Sequence, residues 1–327
     1  MQNQKNTNVT VEWVVGQLET DGNFSLNIAS DGNLKPVVKF SSTSNTNTLD
    51  LFADWIRSIG LNPSFESGKQ VRASSVKVQG KEQVLRLLRV LRQSQISFTG
   101  GKFRDALLVY TALTKSLTPA QKIGLKKSLH KANRHEADFK TSTQTVSRQE
   151  YEHRKGLPLG SSITESETIL RHIDIVCVMH RKCLLDQCGK KTLSVPPDYI
   201  KGVVDGDGSI SVITQVRNER IDWGLNFSLA LDANSAVTAE IVKYCLNSNA
   251  TITQVQSRKN PNQITSLNLA LRNEKDIGSV FDYFNVHGRP LGDLRNKELD
   301  LAYEYQLLKQ NKGLKEYPIA LAFLKKI

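Results

Sequence analysis

A nine-residue pattern occurs twice in this 327-residue chain, once near its start and once past its middle. Residues 14–22 read VVGQLETDG and residues 200–208 read IKGVVDGDG. Both copies carry glycine at the third position, an acid at the sixth and Asp-Gly at the end. Each copy then runs into an alternation of apolar and polar residues, which predicts a β-strand. A repeat of this kind predicts two related structural units in one chain.

The agreement between the copies extends far downstream of the motif. In each half the motif helix is followed by two predicted strands, a helix, two more strands and a helix, which gives the order α-β-β-α-β-β-α. A lysine-led helix follows, near Lys102 in one half and Lys297 in the other. We therefore predict an α+β fold with two pseudo-symmetric halves, residues 1–117 and 198–327, joined by a basic helical or irregular linker at residues 118–197.

The linker contains helical patterns at residues 119–133 and 165–185 and a cluster of cysteine and histidine, namely Cys177, His180, Cys183 and Cys188. A zinc site is one interpretation of this cluster. The spacing matches no familiar zinc module, however, and it also fits one face of an amphipathic helix, where reduced cysteines are ordinary core residues. We favour the helix and leave the role of the linker open.

Composition narrows the class of partner. The formal net charge is +12 and the pI is near 9.5, which favours a polyanion such as DNA, RNA or an acidic membrane. No apolar run approaches the about 20 residues that a membrane-spanning helix requires. The first residues lack an apolar secretory segment and are too poor in arginine for a transit peptide. Four cysteines in a chain of this length do not make a disulfide framework, so we expect reduced thiols.

The motif itself suggests chemistry. Its glycines would let two helices approach backbone to backbone, and they are Gly16, Gly22, Gly202 and Gly208. Two such helices would bring Asp21 and Asp207 close together at their C-terminal ends. Two adjacent carboxylates repel unless a cation lies between them, and Mg²⁺ prefers oxygen ligands. Paired carboxylates with metal ions recur in phosphodiester cleavage. The alternative is that Asp-Gly simply ends a helix.

These residues resemble the motifs of the LAGLIDADG homing endonucleases in their single-chain, two-motif form. The resemblance covers residues 10–130 and 195–327, and it implies a monomer with two αββαββα halves. Each half would lay a saddle-shaped antiparallel sheet in the DNA major groove, with the motif helices packed at the central interface. It also implies site residues: Asp21 and Asp207 as metal ligands, the carbonyls of Thr20 and Gly206 at the metal, Lys102 and Lys297 near the scissile region, and Ser44 and Asp232 near the active-site water.

Three positions depart from the usual motif, which leaves the detail of helix packing open. Motif 1 has Gln17 and Glu19 where an apolar residue and an aspartate are commoner, and motif 2 has Lys201 at a small-residue position. Both metal acids are intact. We interpret Glu19 and Asp205 as acids at the helix interface that support the site.

Polar side chains alternate along the predicted strands and suggest a DNA-reading face. Alternation alone is also what the wet face of any two-layer sheet shows. Acids are scarce on these faces, whereas Arg, Lys, Gln and Asn suit base edges and phosphates. The candidates are Ser25, Asn27, Lys39, Ser41, Arg72, Ser74, Lys77, Gln79, Ser211, Thr214, Gln215, Arg217, Asn226, Ser228, Gln254, Gln256, Arg258 and Lys259.

The resemblance thus implies an intron-encoded, site-specific endonuclease that hydrolyses both strands of a long DNA target and leaves 3′ overhangs. Two or three Mg²⁺ ions would be shared by Asp21 and Asp207, with Mn²⁺ or Ca²⁺ as substitutes for binding. Two alternatives stay open: a maturase that binds its own intron RNA, and a DNA-binding protein without catalysis. The resemblance suggests an organellar origin, in a mitochondrion or chloroplast.

Overall fold

The computed structural model describes residues 9–42, 46–67, 74–129, 165–217, 220–256 and 264–311, with the backbone alone at 46, 165–167, 215–217 and 220–222. The first half follows the predicted order. Its elements are α1 (Val11–Asp21), β1 (Gly22–Ile28), β2 (Leu34–Ser42), α2 (Thr46–Ser58), β3 (Ser64–Glu66), β4 (Ser74–Gln79), α3 (Lys81–Leu91) and α4 (Gly101–Thr114).

Two linker helices come next, and the second half then repeats the order of the first. The linker helices are α5 (Pro119–Ser128) and α6 (Glu165–Gly189). The second half comprises α7 (Pro197–Asp207), β5 (Gly208–Arg217), β6 (Arg220–Asp232), α8 (Ala236–Cys245), β7 (Ile252–Gln256), β8 (Ile264–Leu271), α9 (Glu274–His287) and α10 (Asp293–Gln310).

Each half contains one four-stranded antiparallel sheet, and the strand orders correspond: β1-β2-β4-β3 and β5-β6-β8-β7. The α+β prediction with two related halves is therefore confirmed. Side chains alternate across each sheet because successive Cβ atoms point to opposite faces. In β1, Phe24 and Leu26 are buried under the helices while Asn23 and Asn27 are exposed. One face of each sheet is thus core and the other is open.

The linker helix α6 packs against the first half through a buried ion pair. Arg104 of α4 donates from Nε to Asp174 of α6 at 2.7 Å and from a terminal nitrogen to the carbonyl of Ser128 at 2.6 Å. The ring of His180 stacks on Phe103 with 4.2 Å between the ring centroids. This packing fixes α6 against α4, the helix that begins at the candidate site. Across the described ranges, no helix is both long and apolar enough to cross a bilayer.

Candidate functional site

The two motif helices, α1 and α7, contact each other through glycine. A Cβ atom added at Gly16 would lie 2.3 Å from the carbonyl oxygen of Tyr199, and one at Gly202 would lie 2.2 Å from that of Trp13. Real Cβ atoms do not approach so closely, so both positions exclude any side chain. The predicted backbone-to-backbone approach is therefore present at Gly16 and Gly202.

The other two motif glycines have a different role from the one predicted. Gly22 and Gly208 each end their own helix, and each donates a backbone hydrogen bond to the carbonyl four residues earlier. A Cβ at Gly22 would lie 2.2 Å from the carbonyl oxygen of Leu18, and one at Gly208 would lie 2.5 Å from that of Val204. These contacts are within one helix and its strand, so Gly22 and Gly208 shape the helix-to-strand turn rather than the interface.

Asp21 and Asp207 lie together in the last turns of α1 and α7. A Cβ at Gly206, the neighbour of Asp207, would lie 3.4 Å from Asp21 Oδ2 and 2.0 Å from Thr20 Oγ1. Thr20 and Gly206 thus face each other across the interface. Their carbonyls are among the last four of each helix, which have no intrahelical donor. The structure brings together all four residues predicted at the metal.

Both aspartates are buried, and the nearby positive charges do not offset the cost of ionising them there. Burial raises the pKa of Asp21 to about 6, against a smaller opposing effect of Lys102 and Arg295. Burial and the charge of Asp21 raise the pKa of Asp207 to about 7, with Asp232 adding to the rise. Among the described residues, neither carboxylate has a hydrogen-bond donor. A carboxylate pair held in this way is poised to receive a cation.

Two cations act on this pair, and one of them was not predicted. Lys102, at the start of α4, donates to the carbonyl of Gly22 next to Asp21. In the second half Arg295 of α10 donates to the carbonyl of Val204 at 3.2 Å and forms a 2.7 Å ion pair with Glu298. The side chain of Lys297 is exposed, so the structure does not bring it in as the counterpart of Lys102. Lys297 lies two residues beyond Arg295, about half a helical turn, so its side chain points away from the site.

The second acids of the motifs, Glu19 and Asp205, are buried and hold the starts of α4 and α10. Glu19 accepts from the backbone N–H groups of Thr99 and Gly100, each at 2.8 Å. Asp205 accepts from those of Leu291 at 2.8 Å and Gly292 at 2.9 Å.

Each of these acids also takes one donor from the opposite half. Trp13 donates its indole N–H to Asp205 at 2.9 Å, and Thr238 donates to Glu19 at 3.3 Å. Burial raises the pKa of Glu19 and raises that of Asp205 to about 6. The placement supports the interpretation of both acids as supporting residues at the helix interface, because each carboxylate accepts two backbone donors and one donor from the opposite half.

Asp232 and Ser44 were predicted at the ends of the second strands. Asp232 ends β6 with an exposed side chain, and its charge contributes to the raised pKa of Asp207. It therefore lies near the second aspartate. Ser44 lies outside the described residues. Gln17, which departs from the usual motif, donates from Nε2 to the carbonyl of Gly202 at 2.8 Å and so helps to join the two helices.

The open face of the N-terminal sheet carries most of the predicted DNA-contacting residues of that half, and more. Ser25, Asn27, Lys39, Ser41, Lys77 and Gln79 all share this face by strand register. Ser74 does not, because it shares its face with Val76 and Val78. The open face also carries three residues that were not predicted: Asn23, Lys35 and Glu66. Asn23 could have been found, because it lies two residues before Ser25 in the same strand. Arg72 lies outside the described residues.

The open face of the C-terminal sheet carries polar side chains. Among the strand residues whose side chains are described, none on this face is a lysine or arginine. Ser211, Asn226 and Ser228 lie there as predicted. Thr214 shares the face of Val212, and Gln254 that of Leu267, so both point to the core side although both are exposed. Both residues were chosen for their polarity, although each lies two residues from a core residue of its own strand, Val212 and Ile252.

The remaining predictions for this sheet fall at its edges. Gln256 is exposed beyond a register shift that follows Val255. Gln215 and Arg217 lie in β5, where only the backbone is described. Arg258 and Lys259 lie outside the described residues.

The cysteine and histidine residues of α6 are held by ordinary helix packing and hydrogen bonds, as the helix interpretation predicts. Cys177 is buried in the core, Cys183 is exposed and accepts from Gln187, and His180 lies 3.0 Å from the carbonyl of Phe98. Burial lowers the pKa of His180 and raises that of Cys188 to about 11. Across the described residues no three Cys, His, Asp or Glu side chains form a metal-binding group.

The aspartate pair nevertheless fits a divalent metal that also binds phosphate oxygens and water. Its carboxylates and the nearby helix-end carbonyls are oxygen donors, which hard cations such as Mg²⁺ and Ca²⁺ prefer. Mg²⁺ that also binds phosphate oxygens is usually held by only one or two protein carboxylates and keeps several waters, so this pair is sufficient. The donor set and the raised pKa values of Asp21 and Asp207 therefore both suit such a metal.

Paired four-stranded sheets joined by two glycine-packed motif helices form the fold of the single-chain LAGLIDADG homing endonucleases, as the motifs indicated. The solved structures that this chain matches include I-SmaMI bound to uncleaved DNA target in the presence of calcium ions, at 15% identity, a TM-score of 0.64 and 97% coverage of each chain. They also include the I-SmaMI homing endonuclease bound to cleaved DNA, at 17% identity and a TM-score of 0.64, covering 97% of this chain and 95% of that one.

A second protein with this fold is the LAGLIDADG meganuclease I-AabMI bound to uncleaved DNA. It matches at 13% identity and a TM-score of 0.64, over 97% of this chain and 98% of its own. No protein-family model matches the sequence, and no curated protein matches it. At these identities the likeness is one of fold, and the chemistry must be argued from the chain's own residues.

Proposed function

We propose that this chain is a site-specific endonuclease that hydrolyses both strands of a DNA duplex. The observation that carries the proposal is the pair Asp21 and Asp207, held together at the glycine-packed helix ends with raised pKa values and two cations beside them. One carboxylate from each half is the arrangement that two scissile phosphates, one in each strand, require.

The residues of the chain divide the work as follows. Asp21 and Asp207 hold divalent metal, with Mg²⁺ as the proposed ion, and the carbonyls of Thr20 and Gly206 lie where they can assist. When bound, the metal lowers the pKa of a coordinated water and offsets phosphate charge. Lys102 and Arg295 place positive charge where the phosphate becomes more negative in the transition state, which is the largest kind of stabilisation a preorganised site offers.

Asp232 stands beside Asp207, where it can accept a hydrogen bond from the attacking water in that half. Its charge acts on Asp207 in the structure. This role concerns one half of the molecule, whereas the aspartate pair serves both. Asp232→Asn should therefore lower the rate without abolishing cleavage.

The two open sheet faces supply the DNA-binding surface. Their polar side chains and the net charge of +12 suit the major groove and its phosphates. The neighbours of the same fold, I-SmaMI and I-AabMI, were solved on DNA. Two halves in one chain present two faces to one duplex, so we propose action as a monomer on a long site, with 3′ overhangs. An intron origin in an organelle is part of the same proposal and rests on the resemblance alone.

A cleavage selection tests the proposal. The protein is incubated with a randomised duplex library in Mg²⁺, and cut ends are sequenced to define the site. We expect one long site cut in both strands, and no cutting by Asp21→Asn or Asp207→Asn although both still bind the selected duplex. The matched control is Asp54→Asn, at an exposed aspartate paired with Arg57, which should cut normally.

Two results would contradict the proposal in different ways. Salt-sensitive binding of one duplex without cleavage in any divalent metal would indicate a DNA-binding protein without catalysis. Binding of structured RNA in preference to every duplex would indicate the maturase alternative. Full cutting by either aspartate variant would overturn the assignment of the metal ligands alone.

A further inference from the structure

A carboxylate lies on the open face of the N-terminal sheet between two lysines. Glu66, on the edge strand β3, accepts from Lys39 Nζ at 3.2 Å, and Lys77 Nζ lies 3.9 Å from the same oxygen. The side chain of Glu66 is 54% exposed, and those of Lys39 and Lys77 are 36% and 29% exposed. The bond with Lys39 holds the pKa of Glu66 below its ordinary value, so the group is ionised at neutral pH.

This carboxylate is unusual where it lies. The four described strands of this sheet contain no other acid. A surface that meets DNA phosphates gains nothing from a negative charge, which the phosphates repel. Exposed ion pairs also stabilise a fold by only about 0–1 kcal/mol, so Glu66 contributes little to folding. Its placement makes physical sense if the carboxylate meets a hydrogen-bond donor on a base.

The chemistry of base edges selects one base for this carboxylate. An ionised carboxylate accepts hydrogen bonds and donates none. In the major groove, guanine presents only acceptors, and thymine presents an acceptor and a methyl group. Adenine presents an N6 donor beside the N7 acceptor, whose lone pair would face the second carboxylate oxygen. Cytosine presents the N4 donor with no acceptor at its edge in the groove.

The two flanking lysines complete the pattern for the base that pairs with cytosine. Guanine presents O6 and N7 acceptors next to cytosine N4, and lysine is a common partner for them. Lys39 and Lys77 lie opposite each other in neighbouring strands, and both ammonium groups reach the same carboxylate oxygen. The Glu66 carboxylate thus matches cytosine N4, and the lysine ammonium groups match guanine O6 and N7 of the same C·G pair.

We propose that Glu66 is a specificity-determining residue that reads cytosine N4 at one base pair of the target, with Lys39 or Lys77 on the O6 and N7 of the paired guanine. This inference rests on the proposed DNA recognition and adds to it a named base at a named residue. It requires that the N-terminal sheet enter the major groove with its open face toward the bases.

The test is a comparison of base preferences in a binding selection. Wild type, Glu66→Gln and Glu66→Ala are each used, as the full chain, to select duplexes from a randomised library in Ca²⁺, and base frequencies are compared position by position. Glutamine pairs with the N6 and N7 of adenine, so Glu66→Gln should change one position from cytosine to adenine. Glu66→Ala should lower the preference for cytosine there by about tenfold. All other positions should keep their preferences.

The matched control is Glu274→Gln. Glu274 is an exposed glutamate bonded to a lysine, Lys309, but it lies at the start of α9, off both sheets. This variant should select the wild-type sequence. A melting curve for each variant confirms that the folds are equal.

The outcomes separate this inference from the function it depends on. If wild type selects a site and Glu66→Gln selects the same site unchanged, the reading of cytosine by Glu66 is wrong and DNA recognition stands. A change from any base other than cytosine has the same meaning. If wild type selects no duplex at all, the proposed function fails, and this inference fails with it.

Discussion

The two halves of the molecule repeat a backbone, but they do not repeat the chemistry around their aspartates. Burial raises the pKa of Asp21 to about 6, and Lys102 of its own half is the charge that opposes this rise most. Asp207 has a second acid beside it, Asp232, and its pKa is raised to about 7. Glycine packing requires both helices to be alike at the contact, whereas nothing requires the flanking side chains to match. The fold therefore fixes the positions of the carboxylates, and charged side chains from both halves set the pKa of each one.

Lys102 and Arg295 differ in how firmly their side chains are held, as well as in residue type. Lys102 carries a compact charge on a flexible stem and bonds to one carbonyl, that of Gly22. The guanidinium of Arg295 is already held by the carbonyl of Val204 and by Glu298. Lys102 also lowers the pKa of both aspartates more than Arg295 does. The first half should consequently supply most of the mobile positive charge at the site.

The largest expected effect follows from this difference in the cations. Lys102→Met should slow DNA cleavage by about a hundredfold or more, which is the usual effect of removing one charge-stabilising donor. Arg295→Lys should slow it less, because the charge is kept and only the fork of hydrogen bonds is lost. Single-turnover cleavage of the selected duplex in Mg²⁺ measures both rates.

Lys297→Met is the control for these two variants, since it removes an exposed lysine of the same helix as Arg295 and should cut at the wild-type rate. If Lys297→Met were as slow as Lys102→Met, the pairing of Lys102 with Arg295 would be wrong. The original pairing by sequence would then be correct.

The pH dependence of stability should differ between the aspartates. In the unfolded chain an aspartate ionises near 3.8, whereas Asp207 in the folded chain ionises near 7. Between those values the folded chain binds more protons, so the free energy of unfolding falls as pH rises and levels off above pH 7. For Asp207 the loss is on the order of 4 kcal/mol at pH 8, and for Asp21, with a pKa of about 6, on the order of 3 kcal/mol.

Urea unfolding in EDTA from pH 5 to 8 measures this slope. Asp207→Asn should remove the part of the slope between pH 6 and 7 and should make the metal-free protein more stable at pH 8. Asp21→Asn should also flatten it there, because the repulsion that Asp21 exerts on Asp207 is lost. An unchanged slope in Asp207→Asn would show that the pKa of Asp207 is not raised in the folded chain.

The sequence predicted the repeated parts of the molecule better than the parts that are not repeated. Gly16, Gly202, Asp21 and Asp207 could be found because the same motif occurs in both halves. The order of strands and helices along the chain followed from the hydrophobic patterns, which also repeat. Arg295 could not be found in this way. Its counterpart in the first half is a lysine, and the loops before the two helices differ in length, so aligning lysine with lysine selected Lys297.

The sheet faces were predictable only in part, for a geometric reason. Alternation gives the face of a residue as long as the strand keeps its phase, and it gave Lys39 and Lys77 correctly. Ser74 and Gln254 lie on the other face because each is two residues from a core residue of its own strand, Val76 and Ile252, and only their polarity had suggested the open face. The donors to the second acids, Trp13 and Thr238, were missed because they come from the opposite half.

The helix contact is the part in which the two halves should behave alike. Gly16→Ala and Gly202→Ala each put a Cβ atom against a backbone carbonyl, at 2.3 and 2.2 Å, so the helices must separate. Each should cost about 3 kcal/mol of the free energy of unfolding, at the upper end for overpacking. Gly278→Ala is the control, because Gly278 lies in α9 with nothing within 4 Å of an added Cβ, and alanine there should be neutral or stabilising.

These glycine variants are compared by urea unfolding at one pH. A large loss for one glycine and none for the other would mean that the two helices do not share one contact. The symmetric frame on which the comparison of the halves depends would then be wrong.

The smallest expected effect concerns the donors that cross between the halves. Trp13→Phe removes the 2.9 Å indole bond to Asp205, and Thr238→Val removes the 3.3 Å hydroxyl bond to Glu19. Bonds to a buried carboxylate are worth about 1.5–3 kcal/mol, and the shorter bond should lie at the upper end. Trp13→Phe should therefore destabilise more than Thr238→Val, by about 1 kcal/mol.

The double variant decides whether the two donors act separately. Each acid keeps its two backbone donors from the start of α4 or α10, so the losses should add in urea unfolding if the acids are independent. A loss in the double variant that is smaller than additive would mean that the first substitution already opens the interface between the halves. In that case the two acids hold one shared contact, and the chemical difference between Glu19 and Asp205 would matter less than their common position under the aspartate pair.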